Sequence, residues 1–111
     1  MADLVSIREQ CMALLQRLEG RPSWAQLRAI YLEIAPLLGR LQASVAEAAR
    51  ERQGAEGIKQ AQAALETLKT SAQRVGLDIR LASEPALQVG LQVCLEQALE
   101  VVDSLERTEG R

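Results

Sequence analysis

Residues 87–105 constrain the fold of this chain more than any other stretch. Their apolar side chains recur at alternating steps of four and three residues, which is the period of an amphipathic α-helix with one buried face. The stripe consists of Leu87, Leu91, Cys94, Ala98, Val101 and Leu105, and it is widened by Leu95, Leu99 and Val102. A helix with so broad an apolar face must bury it against other secondary structure.

Three earlier segments carry the same period, so the sequence predicts four helices. They cover about residues 4–18, 24–50, 58–75 and 85–106. Aromatic residues make up only 2% of the chain, so a core of leucine, isoleucine, valine and alanine is expected. The predicted fold is therefore one all-α domain over residues 1–111, a mostly antiparallel four-helix bundle with coiled-coil-like packing.

Pro36 lies inside the second predicted helix. Proline removes one helical hydrogen bond and clashes with the preceding turn, yet the apolar phase continues across this position. Two structures remain open: a helix kinked near Pro36, or two helices broken there. A continuous helix would be about 40 Å long against about 22 Å for the first helix, so one of its ends is left uncovered by the first helix. Either the kink folds that end back, or another subunit covers it.

Several residues predict where helices begin and end. Gly20 suits the left-handed conformation that follows a helix C-terminus. Ser23 and Gln26 have the spacing of a capping box, in which each side chain binds the backbone of the other residue. Gly76 is expected to end the third helix, and the alternating residues 77–81 are expected to be extended.

The charge distribution argues against nucleic acid and membrane partners. The net charge is −2, and residues 81–111 carry two basic against six acidic residues. An acidic chain without a basic run is not typical of proteins that bind nucleic acid or anionic membranes. No apolar run approaches the roughly 18 residues of a membrane span, and no leader sequence is recognisable, so we expect a cytoplasmic protein.

The outer face of the fourth helix is the first candidate binding site. Val89 and Val93 point away from the buried stripe, and Glu96 and Glu100 follow on the same face. An apolar patch beside an acidic strip is suited to a partner helix that carries basic residues. The simpler alternative is a solvated surface with scattered valines.

Trp24 and Tyr31 form the second candidate site. They are seven residues apart, so they lie two turns apart on one side of the second helix. Amphipathic aromatic residues are enriched at interfaces. The alternative is that both residues border the bundle core.

Catalytic, metal and cofactor sites are not predicted. The chain has no histidine, the commonest general base and a frequent metal ligand. Cys11 and Cys94 both lie on apolar stripes and are expected to be buried free thiols. The alternative is a disulfide bond between them, which requires that their helices be neighbours. Gly54 and Gly57 lack the following residues of a phosphate-binding loop.

A degenerate helix-turn-helix over about residues 30–50 is the rival hypothesis. Ala35, Gly39 and Val45 have the spacing of its small residue, turn glycine and buried valine. Basic and amide side chains that could meet DNA are present nearby, namely Arg40, Gln42, Arg50 and Arg52. Against it, the helical phase continues through Gly39, where a turn should reset it.

The sequence therefore favours a non-enzymatic protein–protein interaction module: a small subunit, adaptor or chaperone-like protein. Its expected partner is its own copy, as a dimer or larger homo-oligomer, or a heterologous helical protein. The alternative is a DNA-associated regulator.

Overall fold

A computed structural model describes residues 4–52, 56–79 and 83–109, and four α-helices occupy most of them. The helices are α1 (Leu4–Leu18), α2 (Trp24–Glu51), α3 (Glu56–Asp78) and α4 (Glu84–Glu109). The described ranges contain no strand. The predicted all-α class and four-helix bundle are confirmed.

The helices form an up-down-up-down arrangement. Within the described ranges α1 and α3 do not touch, whereas α2 and α4 meet across the diagonal and each contacts all the other helices. Contacts between neighbouring helices show their relative directions. Helix α1 meets α2 through Arg17–Glu33 and Arg40–Gln10, and it meets α4 through Leu18–Gln88 and Arg8–Glu106. Helix α3 meets α2 where Gly76 lies beside Tyr31, and it meets α4 where Val75 lies beside Gly90. Neighbouring helices around the bundle are therefore antiparallel.

The core is the shared interior of the four apolar stripes. Every residue of the predicted α4 stripe from Leu87 to Leu105 is buried, and Leu95 and Val102, which widen it, are buried as well. The most extensive helix contact is between α3 and α4. Small residues on α3, such as Ala61, allow this close approach, because helix separation depends on the side chains at the contact.

Pro36 does not interrupt α2. The helix is continuous from Trp24 to Glu51, so the alternative of two helices broken near Pro36 is wrong. Pro36 is on the exposed face, while Ile34 and Leu37 are buried on either side of it. Burial of these side chains on both sides offsets the hydrogen bond that proline removes, which costs about 3 kcal/mol.

The turn between α1 and α2 follows the predicted chemistry. Gly20 has φ of +79°, as expected of a residue that ends a helix. The backbone N–H of Gln26 donates to Ser23 Oγ at 3.2 Å, and the backbone N–H of Ser23 donates to Gln26 Oε1 at 2.7 Å. The capping box is therefore confirmed. The Gln88 side-chain amide of α4 donates to the Leu18 carbonyl, which satisfies an acceptor at the end of α1.

The predicted end of α3 is wrong. The helix continues through Gly76 to Asp78, so residues 77 and 78 are helical rather than extended; residues 80 and 81 lie outside the described ranges. A methyl group at Gly76 would lie 2.9 Å from the Tyr31 hydroxyl oxygen. Glycine at this position thus accommodates a neighbouring helix and does not serve as a left-handed cap.

Candidate interaction faces

The outer face of α4 presents apolar side chains to solvent. Val89 is 61% exposed and Val93 is 38% exposed, and Ala86 one turn earlier is also exposed. Together these three residues form one wall of a groove of about 250 Å³ between α3 and α4. The structure therefore brings the predicted valines together on one accessible face, and their binding of a partner stays a prediction.

The acidic strip of α4 continues this face. Glu96 and Glu100 are exposed, and neither belongs to an ion pair in the described part of the chain. Asp103, by contrast, pairs with Arg8 of α1, which also contacts Glu106. The hydrogen bonds to Asp103 and Glu106 raise the pKa of the Arg8 guanidinium. Of the three acidic side chains Glu96, Glu100 and Asp103, only Asp103 is therefore engaged in an ion pair within the described part of the chain.

Trp24 and Tyr31 differ in exposure, and their joint binding of a partner stays a prediction. Trp24 is 37% exposed at the first turn of α2. Tyr31 is half-buried, packs against the core, and lies beside Gly76 of α3. Tyr31 thus matches the simpler alternative of an aromatic residue at the border of the core, whereas Trp24 remains accessible.

A wider groove between α2 and α3 was not predicted. Its volume is about 560 Å³, and Tyr31, Leu32 and Leu38 of α2 face Ala72 and Gly76 of α3 across it. Leu32 is 62% exposed, the largest exposed fraction among the large hydrophobic residues described. Leu32 lies opposite the buried stripe of α2, just as Val89 lies opposite the buried stripe of α4. The helical period used to find Val89 could therefore have identified Leu32 from the sequence.

The charged side chains of α2 lie on different sides of the helix. Arg28, Arg40 and Arg50 are exposed, as is Glu51 at the helix end, while Glu33 pairs with Arg17 of α1. Arg40 donates to Gln10 of α1 at 2.6 Å, while Arg28 belongs to no ion pair among the described residues. One turn before Leu32 the exposed charge on α2 is therefore the basic Arg28, whereas the exposed charges that follow Val93 on α4 are the acidic Glu96 and Glu100.

The helix-turn-helix hypothesis for residues 30–50 is wrong. Such a motif needs a turn at Gly39 and a second helix that is free to enter the major groove. Gly39 lies inside the continuous α2. Arg40, which would follow the turn, also donates to Ser6 Oγ of α1 at 3.2 Å. The segment is one element of the bundle.

The two thiols are protected from solvent. Cys11 and Cys94 are both buried and unbridged. Burial raises the pKa of each thiol to about 11, and nearby Arg8 and Arg40 oppose this effect only in part at Cys11. A protonated thiol is a poor nucleophile and metal ligand. In the described ranges no group of three or more potential metal ligands occurs.

Raising the pH from about 8 to about 10.5 is expected to lower the free energy of unfolding through both thiols. An unfolded thiol ionises near pH 9.0, whereas Cys11 and Cys94 in the folded chain stay protonated until about pH 11. The unfolded state binds fewer protons in this window, so stability falls as pH rises, by on the order of 1 kcal/mol for each thiol. Urea unfolding at the two pH values measures the loss. The Cys11→Ala/Cys94→Ala variant should lose less over the same interval, and an equal loss would contradict the assignment.

The helices were also compared with the requirements of a membrane span, and the chain was compared with known proteins. Among the described helices, none combines the length and the apolar character needed to cross a membrane. Comparisons of the chain with protein-family models, with curated proteins and with solved structures found no match.

Proposed function

We propose that this chain is a non-enzymatic protein–protein interaction module whose outer α4 face binds a protein partner. The observation that carries the proposal is the 61% exposure of Val89 on a helix whose opposite face is buried throughout. Val93 extends the apolar patch, and Glu96 and Glu100 place charge at its edge. An apolar centre with a polar rim is the usual anatomy of a binding surface.

The mechanism of binding is burial of the two valines beneath a partner helix. Taking a valine from full exposure to full burial contributes about 1.5–3 kcal/mol. Val89 and Val93 are already partly buried in the fold, so a partner gains only the share of this energy that belongs to their exposed area, which is larger at Val89. The carboxylates of Glu96 and Glu100 favour a partner with lysine or arginine next to its apolar residues and disfavour an acidic one. Trp24 is a secondary contact, because its exposed ring provides apolar area at low entropic cost.

We assign the module to the cytoplasm as a small subunit, adaptor or chaperone-like protein. Its two buried thiols are unbridged, which fits a compartment in which thiols are kept reduced. Val89 and Val93 both lie within the regular helix α4, which suits a partner that docks without rearranging the bundle.

The double variant Val89→Glu/Val93→Glu is expected to lose the partner while remaining folded. Both side chains are exposed, so the substitutions leave the core intact, whereas two buried charges in the interface weaken binding at least tenfold, or about 1.4 kcal/mol. The measurement is quantitative co-purification of the tagged chain from the cells that make it.

Val5→Glu provides the matched control. Val5 of α1 is as exposed as Val89 but lies outside the α4 face, so this variant should recover the same partner as the wild type. Equal recovery by the wild type, the control and the double variant would exclude the α4 face as the binding site.

A further inference from the structure

The bundle carries two exposed faces of complementary chemistry on opposite sides. The α4 outer face consists of Ala86, Val89, Val93, Glu96 and Glu100, and it is apolar and acidic. The α2 outer face consists of Arg28, Leu32, Pro36 and Gly39, and it is apolar and basic. Because α2 and α4 pack against each other across the diagonal of the bundle, these two faces point in opposite directions.

The order and spacing of residues on the two faces also match. From Gly39 towards the start of α2, Pro36, Leu32 and Arg28 follow at steps of three, four and four residues. From Ala86 along α4, Val89 and Val93 follow at steps of three and four, and the next step of four reaches the half-buried Gln97, which lies between Glu96 and Glu100. An antiparallel pairing in this one register would place apolar side chains opposite each other.

The same register would place the Arg28 guanidinium between two carboxylates. Glu96 and Glu100 lie one turn apart on α4 and could both accept from it. None of these three groups belongs to an ion pair among the described residues, so none has to give up a partner. Glycine at position 39 and alanine at position 86 present no large side chain that would hold the helices apart.

We propose that the α4 outer face of one copy docks antiparallel on the α2 outer face of a second copy. The inference rests on the proposed function and identifies its partner as this same chain. Because the two faces point in opposite directions, two rigid copies cannot form both contacts with each other. The association is heterologous: it adds copies head to tail and leaves one unoccupied face at each end unless a ring closes.

The predicted contact is short. From Arg28 to Gly39 it covers about 16 Å of helix, which places it with the small, transient interfaces. We therefore expect association to appear between about 10 µM and about 1 mM and to weaken with added salt, which screens the exposed charges.

Light scattering on mixed variants tests the head-to-tail contact. Leu32→Glu blocks the α2 outer face and Val93→Glu blocks the α4 outer face. The wild-type mass should rise with concentration from 12.1 kDa, and each variant alone should stay at that mass. An equimolar mixture of the two variants should reach twice that mass and no more, because only one compatible pair of faces remains.

Charge reversal tests the register. Arg28→Glu should weaken self-association at least tenfold, as should Glu96→Arg/Glu100→Arg, and the triple variant Arg28→Glu/Glu96→Arg/Glu100→Arg should recover most of it. Val5→Glu, an equally exposed substitution outside both faces, should associate as the wild type does. Failure of the triple variant to recover while the two partial reversals are impaired would overturn the proposed register.

The outcomes separate this inference from the proposed function. A wild-type chain that is monomeric at about 1 mM, or a mixture of the blocked variants that stays monomeric while the wild type associates, would overturn the head-to-tail contact. If such a chain still recovers a different protein through Val89 and Val93, the proposed function stands without self-association.

Discussion

Replacing Leu91 with alanine is expected to lower the free energy of unfolding by about 2–5 kcal/mol. Leu91 is fully buried on α4, a helix that contacts all three others, so its truncation leaves a cavity bounded by several elements. A domain of this size is stable by about 5–15 kcal/mol, so the loss is a large share of the total. Urea unfolding followed by circular dichroism measures it.

Leu32→Ala is the matched control for this prediction. The same atoms are removed from a side chain that is mostly in contact with solvent, so the free energy of unfolding should change by no more than about 0.5 kcal/mol. The comparison is made at low protein concentration to exclude self-association. Equal effects of the two substitutions would contradict the placement of the core.

Two glycine-to-alanine substitutions are expected to change stability in opposite directions. A methyl group at Gly90 of α4 would lie 3.0 Å from Val75 Cγ2, and Val75 is buried on α3. Overpacking of this kind costs about 1–3 kcal/mol, which outweighs the gain of up to about 1 kcal/mol from the better helix propensity of alanine. Gly90→Ala should therefore destabilise the bundle.

Gly39→Ala should stabilise it by about 0.5–1 kcal/mol, because only the propensity gain remains. Nothing lies within 4 Å of a methyl group at Gly39, which is exposed in the middle of α2. Both variants are compared with the wild type by the same urea unfolding. Stabilisation by Gly90→Ala equal to that by Gly39→Ala would contradict the close approach of α3 and α4 at this position.

Local patterns were sufficient to predict most of the fold. The predicted α1 ends at the observed residues, because Gly20 and the capping box at Ser23 act through contacts only a few residues apart. The end of α3 was missed at Gly76, since the role of that glycine depends on Tyr31, which is distant in sequence. Local signals cannot show a contact made by another helix.

The candidate faces likewise combine features that the sequence predicts with features that depend on helix packing. Exposure of Val89 and Val93 follows from helical period alone, and the rule extends to Leu32. The groove beside Leu32 could not be predicted, because its width depends on the separation of α2 and α3. Arg40 could not be assigned from sequence either, since its hydrogen bond to Gln10 depends on the packing of α1.

Site-specific photo-crosslinking in the cells that make the protein tests the central claim most directly. The crosslinking residue is placed in turn at positions 89, 32 and 5, where the native side chains have nearly equal exposure on three different helices. Binding through the exposed faces of α4 and α2 predicts adducts from positions 89 and 32 and none from position 5. Adducts from position 5 alone, equal adducts from all three positions, or none from positions 89 and 32 would contradict it.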